Sequence, residues 1–280
     1  MVAGVGIGFV VPIAVDYLDK RIKSPVEVGA LLGFPPLGWI IERSSPKTQA
    51  FAVDQMRRLA LAIERECNAH GTTCIAVTAA KPGEGTTTLV LDLARMLSDI
   101  GVRTLAVEAN AFKPSARFAA AEETHGFAAA LAGMAKLETA IIPATDVLPD
   151  RLPLGDIGDD PHLSIHGELR PALDDALQEL KGMYDLVLLD VPPILLSADA
   201  ELLIGSAGAA LLVIAAERVT KGEIRRAARS LERLAPPVVG VVVTRVRVYD
   251  GGGYFAEMLK EYETRERATR SGLLARLLRS

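Results

Sequence analysis

Cysteine is nearly missing from this 280-residue chain: Cys67 and Cys74 are the whole supply. Two thiols cannot build the disulfide framework of a small secreted domain, and their scarcity suits a reducing compartment. Aromatic residues are few, 5% of the chain, and only five are tyrosines. Positive charge is not in excess either. The 31 Lys and Arg stand against 35 Asp and Glu, so the body of the chain lacks the cationic footprint of a nucleic-acid binder, and no nucleic-acid partner is expected. Long apolar runs are scarce as well. The uncharged stretch Val2–Val15 would rise about 21 Å as a helix, short of the ~30 Å hydrocarbon core of a bilayer. Gly4, Gly6, Gly8 and Pro12 weaken it further. A basic segment before it, which a signal peptide needs, is absent. Lys20, Arg21 and Lys23 follow it instead, the order found at the cytoplasmic end of a membrane helix. Residues 1–23 therefore read as the end of a transmembrane helix with its juxtamembrane segment, the alternative being a buried N-terminal segment.

What is present is core. Half the residues are hydrophobic, which excludes disorder. Ser24-Pro25-Val26-Glu27 has the form of a capping box with proline at the first helical position. Gly33 can end that helix, Pro35 and Pro36 force extended chain, and Leu37–Ile41 can form a strand. Residues 24–47 read as a short helix and extended linker. From Cys74 onward, apolar runs without alternation recur at Cys74–Val77, Thr104–Val107, Leu186–Leu189, Ala210–Ala215 and Val238–Val243. Strands buried on both faces look like this. Helical patterns at Thr87–Ile100, Glu168–Lys181 and Lys221–Leu234 fall between them. The alternation predicts an α/β fold, a parallel sheet with helices on both faces, whose ligand sits at the carboxyl ends of the strands.

The first of these strands runs into Lys81-Pro82-Gly83-Glu84-Gly85-Thr86-Thr87-Thr88 and then a helix. Strand, glycine-rich loop and helix are the setting of a phosphate-binding P-loop. The glycines let backbone N–H groups turn around a phosphate, and the helix N-terminus adds partial positive charge. Lys81, Gly83, Glu84, Gly85, Thr86, Thr87 and Thr88 are the nucleotide-binding candidates, for ATP or ADP with Mg²⁺. In G-x-x-x-x-G-K-[ST] a lysine precedes the Mg²⁺-holding Ser or Thr. Here Thr87 occupies the Mg²⁺ position, but Thr86 stands where the lysine should be. Asp190, at the end of an apolar strand, is a Walker B candidate for the same metal.

Taken together these segments resemble the cytoplasmic module of bacterial tyrosine kinases (BY-kinases), the Wzc-like polysaccharide co-polymerases. The resemblance rests on residues 16–25, on Leu32-Gly33-Phe34-Pro35, on Pro82-Gly83-Glu84-Gly85, on Tyr184–Pro193 with its paired prolines, on Asp199 and on Gly240–Val243. It implies a P-loop NTPase-like domain over 48–250 and homo-oligomers. It also implies autophosphorylation on a C-terminal tyrosine cluster, at the cytoplasmic face of the bacterial inner membrane. The implied partners are the polysaccharide polymerase and export machinery and a transmembrane chain-length-determinant region. The family's D-x-D-x-R motif falls on Glu108-Ala109-Asn110-Ala111-Phe112, so Glu108 and Asn110 are candidate metal ligands, with Glu108 and Asp190 the catalytic candidates. Its E-x-x-R-x-x-R oligomer motif falls on Asp54, Arg57 and Ala60, making Asp54 and Arg57 interface candidates. An expected asparagine is Thr244. The tyrosine cluster reduces to Tyr249, Tyr254 and Tyr262 as phosphoacceptors.

These departures gather at the chemistry. They point to a module of exopolysaccharide biosynthesis that regulates polymerisation or chain length with impaired or lost phosphoryl transfer. One alternative is an active autokinase or ATPase with a non-standard P-loop. Another is a ParA/MinD-like positioning ATPase, in which a lysine at the offset of Lys81 reaches across a dimer to the phosphates. Residues 251–280 form a basic amphipathic tail, with Arg265, Arg267, Arg270, Arg276 and Arg279 among leucines. Such a tail suits an anionic membrane surface or a docking helix.

Overall fold

The computed structural model describes residues 21–43, 46–119, 125–156, 169–234 and 237–247, with isolated positions at 257, 260 and 261. Val2–Val15, the three tail tyrosines and the arginine-rich tail lie outside the described residues. The elements run α1 (Pro25–Leu32), β1 (Gly38–Ile41), α2 (Pro46–His70), β2 (Cys74–Ala79), α3 (Thr86–Asp99), β3 (Thr104–Glu108), α4 (Phe127–Leu131) and α5 (Leu137–Ala140). They continue as β4 (Asp150–Leu152), α6 (Leu169–Met183), β5 (Leu186–Asp190), α7 (Ala198–Ala207), β6 (Ala210–Ala215), α8 (Lys221–Leu234) and β7 (Val238–Val246).

The strands make one seven-stranded sheet in the order β1-β7-β6-β2-β5-β3-β4, and every pairing is parallel. The four central strands β2, β3, β5 and β6 are buried at every residue, which is why their sequences run apolar without alternation. Alternation returns in which core each residue joins. Cys74 and Ala76 pack under α1 and α4–α8, whereas Ile75, Val77 and Ala79 pack under α2 and α3. Burial pushes the Cys67 thiol up to about 11 and the Cys74 thiol up to about 12, so both serve as packing residues.

The expected fold class is the observed one, with differences at the edges. The segment read as a linker belongs to the sheet. β1 pairs with β7, with Gly38 opposite Val242, and Ile40 and Ile41 are buried against α2. The juxtamembrane end is docked too: Ile22 is fully buried, and its N–H donates to the Val219 carbonyl at 2.9 Å. Strand β4 and helices α4, α5 and α7 escape the sequence pattern. Among the described residues no helix is long and apolar enough to cross a membrane.

Parallel strands put all their carboxyl ends on one rim. There the ends of β2, β3, β5, β6 and β7 converge, and the P-loop rises from the central one.

Candidate functional site

The P-loop leaves β2 at Ala79 and enters α3 at Thr86. Gly83 and Gly85 hold φ of 84° and 93°, the left-handed region that glycine enters without strain. Gly85 caps α3 with no side-chain hydrogen bond, so the first N–H groups of that helix are not occupied by a cap and face the loop.

Glu84 fixes the loop's shape. Its buried carboxylate accepts from the Lys81 N–H at 2.7 Å and from the Ala215 N–H at 3.0 Å. Its carbonyl accepts from the Thr244 hydroxyl at 2.8 Å. Burial pushes its carboxyl up to about 7 against those N–H bonds. Bonded to backbone, it does not line the P-loop cavity but lines the smaller one beside it.

Behind the loop, the Thr87 hydroxyl donates to Asp190 Oδ2 at 2.5 Å, while Asp190 Oδ1 is buried with no hydrogen-bond partner. An orphaned carboxylate oxygen beside a hydroxyl suits a hard divalent cation, which takes oxygen ligands. Burial pushes Asp190 up to about 7; the Thr87 bond opposes this, and nearby Glu108 adds to it.

The other two candidate ligands already accept backbone hydrogen bonds. Glu108 lies opposite Asp190 in the sheet register, but its Oε1 accepts from the Ser115 N–H at 2.5 Å and its Oε2 from the Leu154 N–H at 3.0 Å. These bonds tie β3 to two loops and give Glu108 a positioning role. Asn110 Oδ1 accepts from the Lys113 N–H at 3.2 Å, closing a turn of the loop after β3. Among the described residues of this rim, the carboxylate oxygen without a hydrogen-bond partner is Asp190 Oδ1, beside the Thr87 hydroxyl.

A cavity of about 400 Å³ opens over the loop, lined by Gly83, Gly85, Thr86, Thr87 and Thr88 on one side and by Asn110 to Ala116 residues on the other. Its charged lining is Lys81, Lys113 and Arg245, and among the described residues no carboxylate lines it. It is an anion basin. A smaller cavity of about 220 Å³, walled by Ile40, Ile41, Met56 and Leu89 with Glu42, Glu84 and Asp92 also on its lining, adjoins it and shares Gly85, Thr88 and Arg245.

Lys81 does not project freely: its Nζ donates to both carboxylate oxygens of Glu223 at 3.3 Å. Asp54 accepts from Arg58 Nε at 2.9 Å on α2, with Arg57 exposed beside it. Sequence reasoning missed Arg245, and also Arg218, whose Nη1 lies 3.4 Å from where a Gly83 Cβ would stand. The available signal was position, because Arg245 is the penultimate residue of β7 and Arg218 lies three residues beyond β6, both near carboxyl ends that form the ligand rim.

A family model for an AAA domain matches residues 72–230. EpsB of Ralstonia solanacearum, named as a tyrosine-protein kinase, is 29% identical over 196 residues, 68% of this chain and 25% of EpsB. The chain thus spans about a quarter of that relative's length. The tyrosine-protein kinase YwqD of Bacillus subtilis is 26% identical over 205 residues, 73% of this chain and 84% of YwqD. The kinase domain of the Escherichia coli tyrosine kinase Etk superposes with a TM-score of 0.67 at 22% identity, over 77% of this chain and 92% of that one, a likeness of fold.

Proposed function

This chain belongs to the AAA domain family, matched over residues 72–230, and from that premise we propose that it is a nucleotide-binding module similar to the bacterial tyrosine kinases. Its setting is an exopolysaccharide or capsule biosynthesis and export system at the cytoplasmic face of the inner membrane. There it regulates polymerisation or chain length, with phosphoryl transfer impaired or lost. The observation that carries nucleotide binding is the pairing of Thr87 with Asp190 beneath an uncapped helix N-terminus, with one Asp190 oxygen left over. A diphosphate fits the carboxylate-free cavity, and Mg²⁺ fits the Thr87–Asp190 pair.

Two features weaken the chemistry. The loop's lysine is Thr86, and Glu108 is committed to backbone N–H groups. Each lost charge-stabilising group commonly costs about 10²–10³ in rate. The exposed face of α2 carrying Arg57 and half-buried Asp54 is the proposed oligomer contact, and residues 1–20 and 251–280 the proposed membrane-proximal ends. A MinD-like role needs Lys81 free to cross a dimer. Its pairing with Glu223 argues against that reading.

Calorimetry of ADP and ATP with Mg²⁺, alongside phosphotyrosine detection on the full chain, tests the proposal. Binding weaker than about 10 μM with no phosphotyrosine is expected. Tighter binding together with phosphotyrosine would establish the autokinase alternative. No binding at millimolar nucleotide would remove the nucleotide reading altogether.

A further inference from the structure

Thr86 leaves the P-loop's usual lysine position without an ammonium group, yet its cavity is not short of positive charge. The three cations that line it differ in how their charge is used. Lys81 is balanced by Glu223 at 3.3 Å. Lys113 stands on the exposed loop after β3. Arg245 is half-buried and is brought to the loop by its neighbour. The Thr244 hydroxyl holds the Glu84 carbonyl at 2.8 Å, and Thr244 Oγ1 comes within 3.9 Å of where a Gly85 Cβ would stand. Arg218 touches the loop at Gly83 but does not line the cavity.

The backbone of Arg245 carries a cost. Its φ is 57°, a left-handed conformation that crowds any L side chain. The register of β7 against β1 shifts at the same place, from Trp39 opposite Val243 to Ile41 opposite Val246. Irregularities of this kind re-aim a side chain next to a site. Arg245 itself has no compensating partner. The neighbouring acids are taken: Glu42 and Glu217 bind Arg247 at 3.1 and 2.9 Å, and Asp92 binds Arg43 at 2.7 Å. Among the described residues, the Arg245 guanidinium makes no hydrogen bond or ion pair. An unpaired, half-buried cation at a strained position, on the wall of an anion basin and at its seam with an apolar cavity, is complete only with an anion beside it.

We propose that Arg245 supplies the positive charge that holds the phosphates in the P-loop cavity, in place of the lysine that Thr86 replaces. This rests on the nucleotide reading above and names the group that makes it work. A guanidinium presents N–H donors in a planar fork that matches phosphate oxygens. The ligand class is a nucleoside di- or triphosphate, its phosphates beside Gly85 and Thr88 and its apolar part toward the smaller cavity.

The test is calorimetry with Mg²⁺ and ADP on the full chain and on Arg245→Gly, Lys113→Ala and the double variant Thr86→Lys/Arg245→Gly. Glycine accepts the left-handed φ without strain, so Arg245→Gly is expected to melt no lower than the wild type, which separates binding from folding. It is expected to bind roughly tenfold or more weakly, the size of a charge-assisted hydrogen bond. Lys113→Ala should weaken binding less than Arg245→Gly does, as suits an exposed charge. The double variant should regain most of the lost affinity. Equal binding by Arg245→Gly and wild type overturns the inference while leaving the nucleotide reading intact. A larger loss in Lys113→Ala than in Arg245→Gly overturns it too, by placing the charge on the β3 loop. If the wild type binds no nucleotide, the nucleotide reading fails and this inference with it.

Discussion

The carboxylate of Glu84 sits in the middle of the P-loop and touches none of its cavity. It joins the loop to the end of β6 through two backbone N–H groups, with Lys81 and Glu223 as the charges that act on it. Its folded value, about 7, lies above the usual carboxylate value of 4.5. The folded state therefore binds this proton more tightly than the unfolded one. The stability it contributes is complete below about pH 4.5 and is lost as pH rises toward 7. Thermal melts should decline from pH 5 to about 7, and Glu84→Gln should reduce that decline, Asp190 and Glu108, whose carboxyls burial also raises, supplying the rest; an unchanged slope in the variant would exclude a contribution from Glu84. Asp190 gives a separate test by geometry. Asn at that position can still accept from Thr87 but offers a cation a neutral oxygen. Asp190→Asn should keep its fold and lose the Mg²⁺ dependence of ADP binding, measured as the difference in affinity with and without the metal. Thr87 and Asp190 were legible in the sequence because each has a fixed offset from a recognisable strand. The commitment of Glu108 was not, since its partners are backbone groups of Ser115 and Leu154 that only folding brings near.

At the level of elements, the central strands were readable because burial on both faces leaves an unbroken apolar run. The edges were not. Strand β4 is three residues long, below what periodicity can register, and it depends on contacts remote in sequence. One is the crossing of Gly126 and Gly155, where a Cβ on either would fall inside the other's backbone. Helix α7 buries Ala200, Leu203, Ile204 and Ala207 in a ten-residue span, too short and too evenly apolar to show a stripe. The boundary near residue 48 deserves revision on the same grounds. Ile22, Val28, Ile40 and Ile41 are all buried in the two cores, each contributing roughly 1.5–3 kcal/mol by burial. Their removal also bares the edge of β7 as an unpaired template. A chain beginning at residue 48 should therefore melt at least about 10 °C lower than one beginning at residue 21, or aggregate. Equal melting temperatures would restore the linker reading of residues 24–47.

For the whole molecule, ligand binding and stability are one measurement. A ligand that binds only the folded state adds RT ln(1 + [L]/Kd), about 1.4 kcal/mol at ten times Kd. For a domain of about 200 residues that is a rise of roughly 3–6 °C. If Kd for ADP with Mg²⁺ is near 100 μM, 1 mM nucleotide should raise the melting temperature by that amount. The rise should vanish when Mg²⁺ is chelated, because Asp190 then faces phosphate with no cation between them. Turnover should not follow binding. On the proposed reading, the missing loop lysine and the backbone-bonded Glu108 should together lower transfer about 10⁴-fold or more from the roughly 1–100 per second of kinases, to less than about one per minute. Thr86→Lys restores only one of the two groups. It should enlarge the nucleotide-induced rise in melting temperature while leaving phosphate release at background in a radiolabel assay, because Glu108 still accepts from the Ser115 and Leu154 N–H groups and stays held in its positioning role. Phosphate release within tenfold of the family rate from that single change would show that charge at the loop was the only deficit, and that the binding module is one residue away from an enzyme.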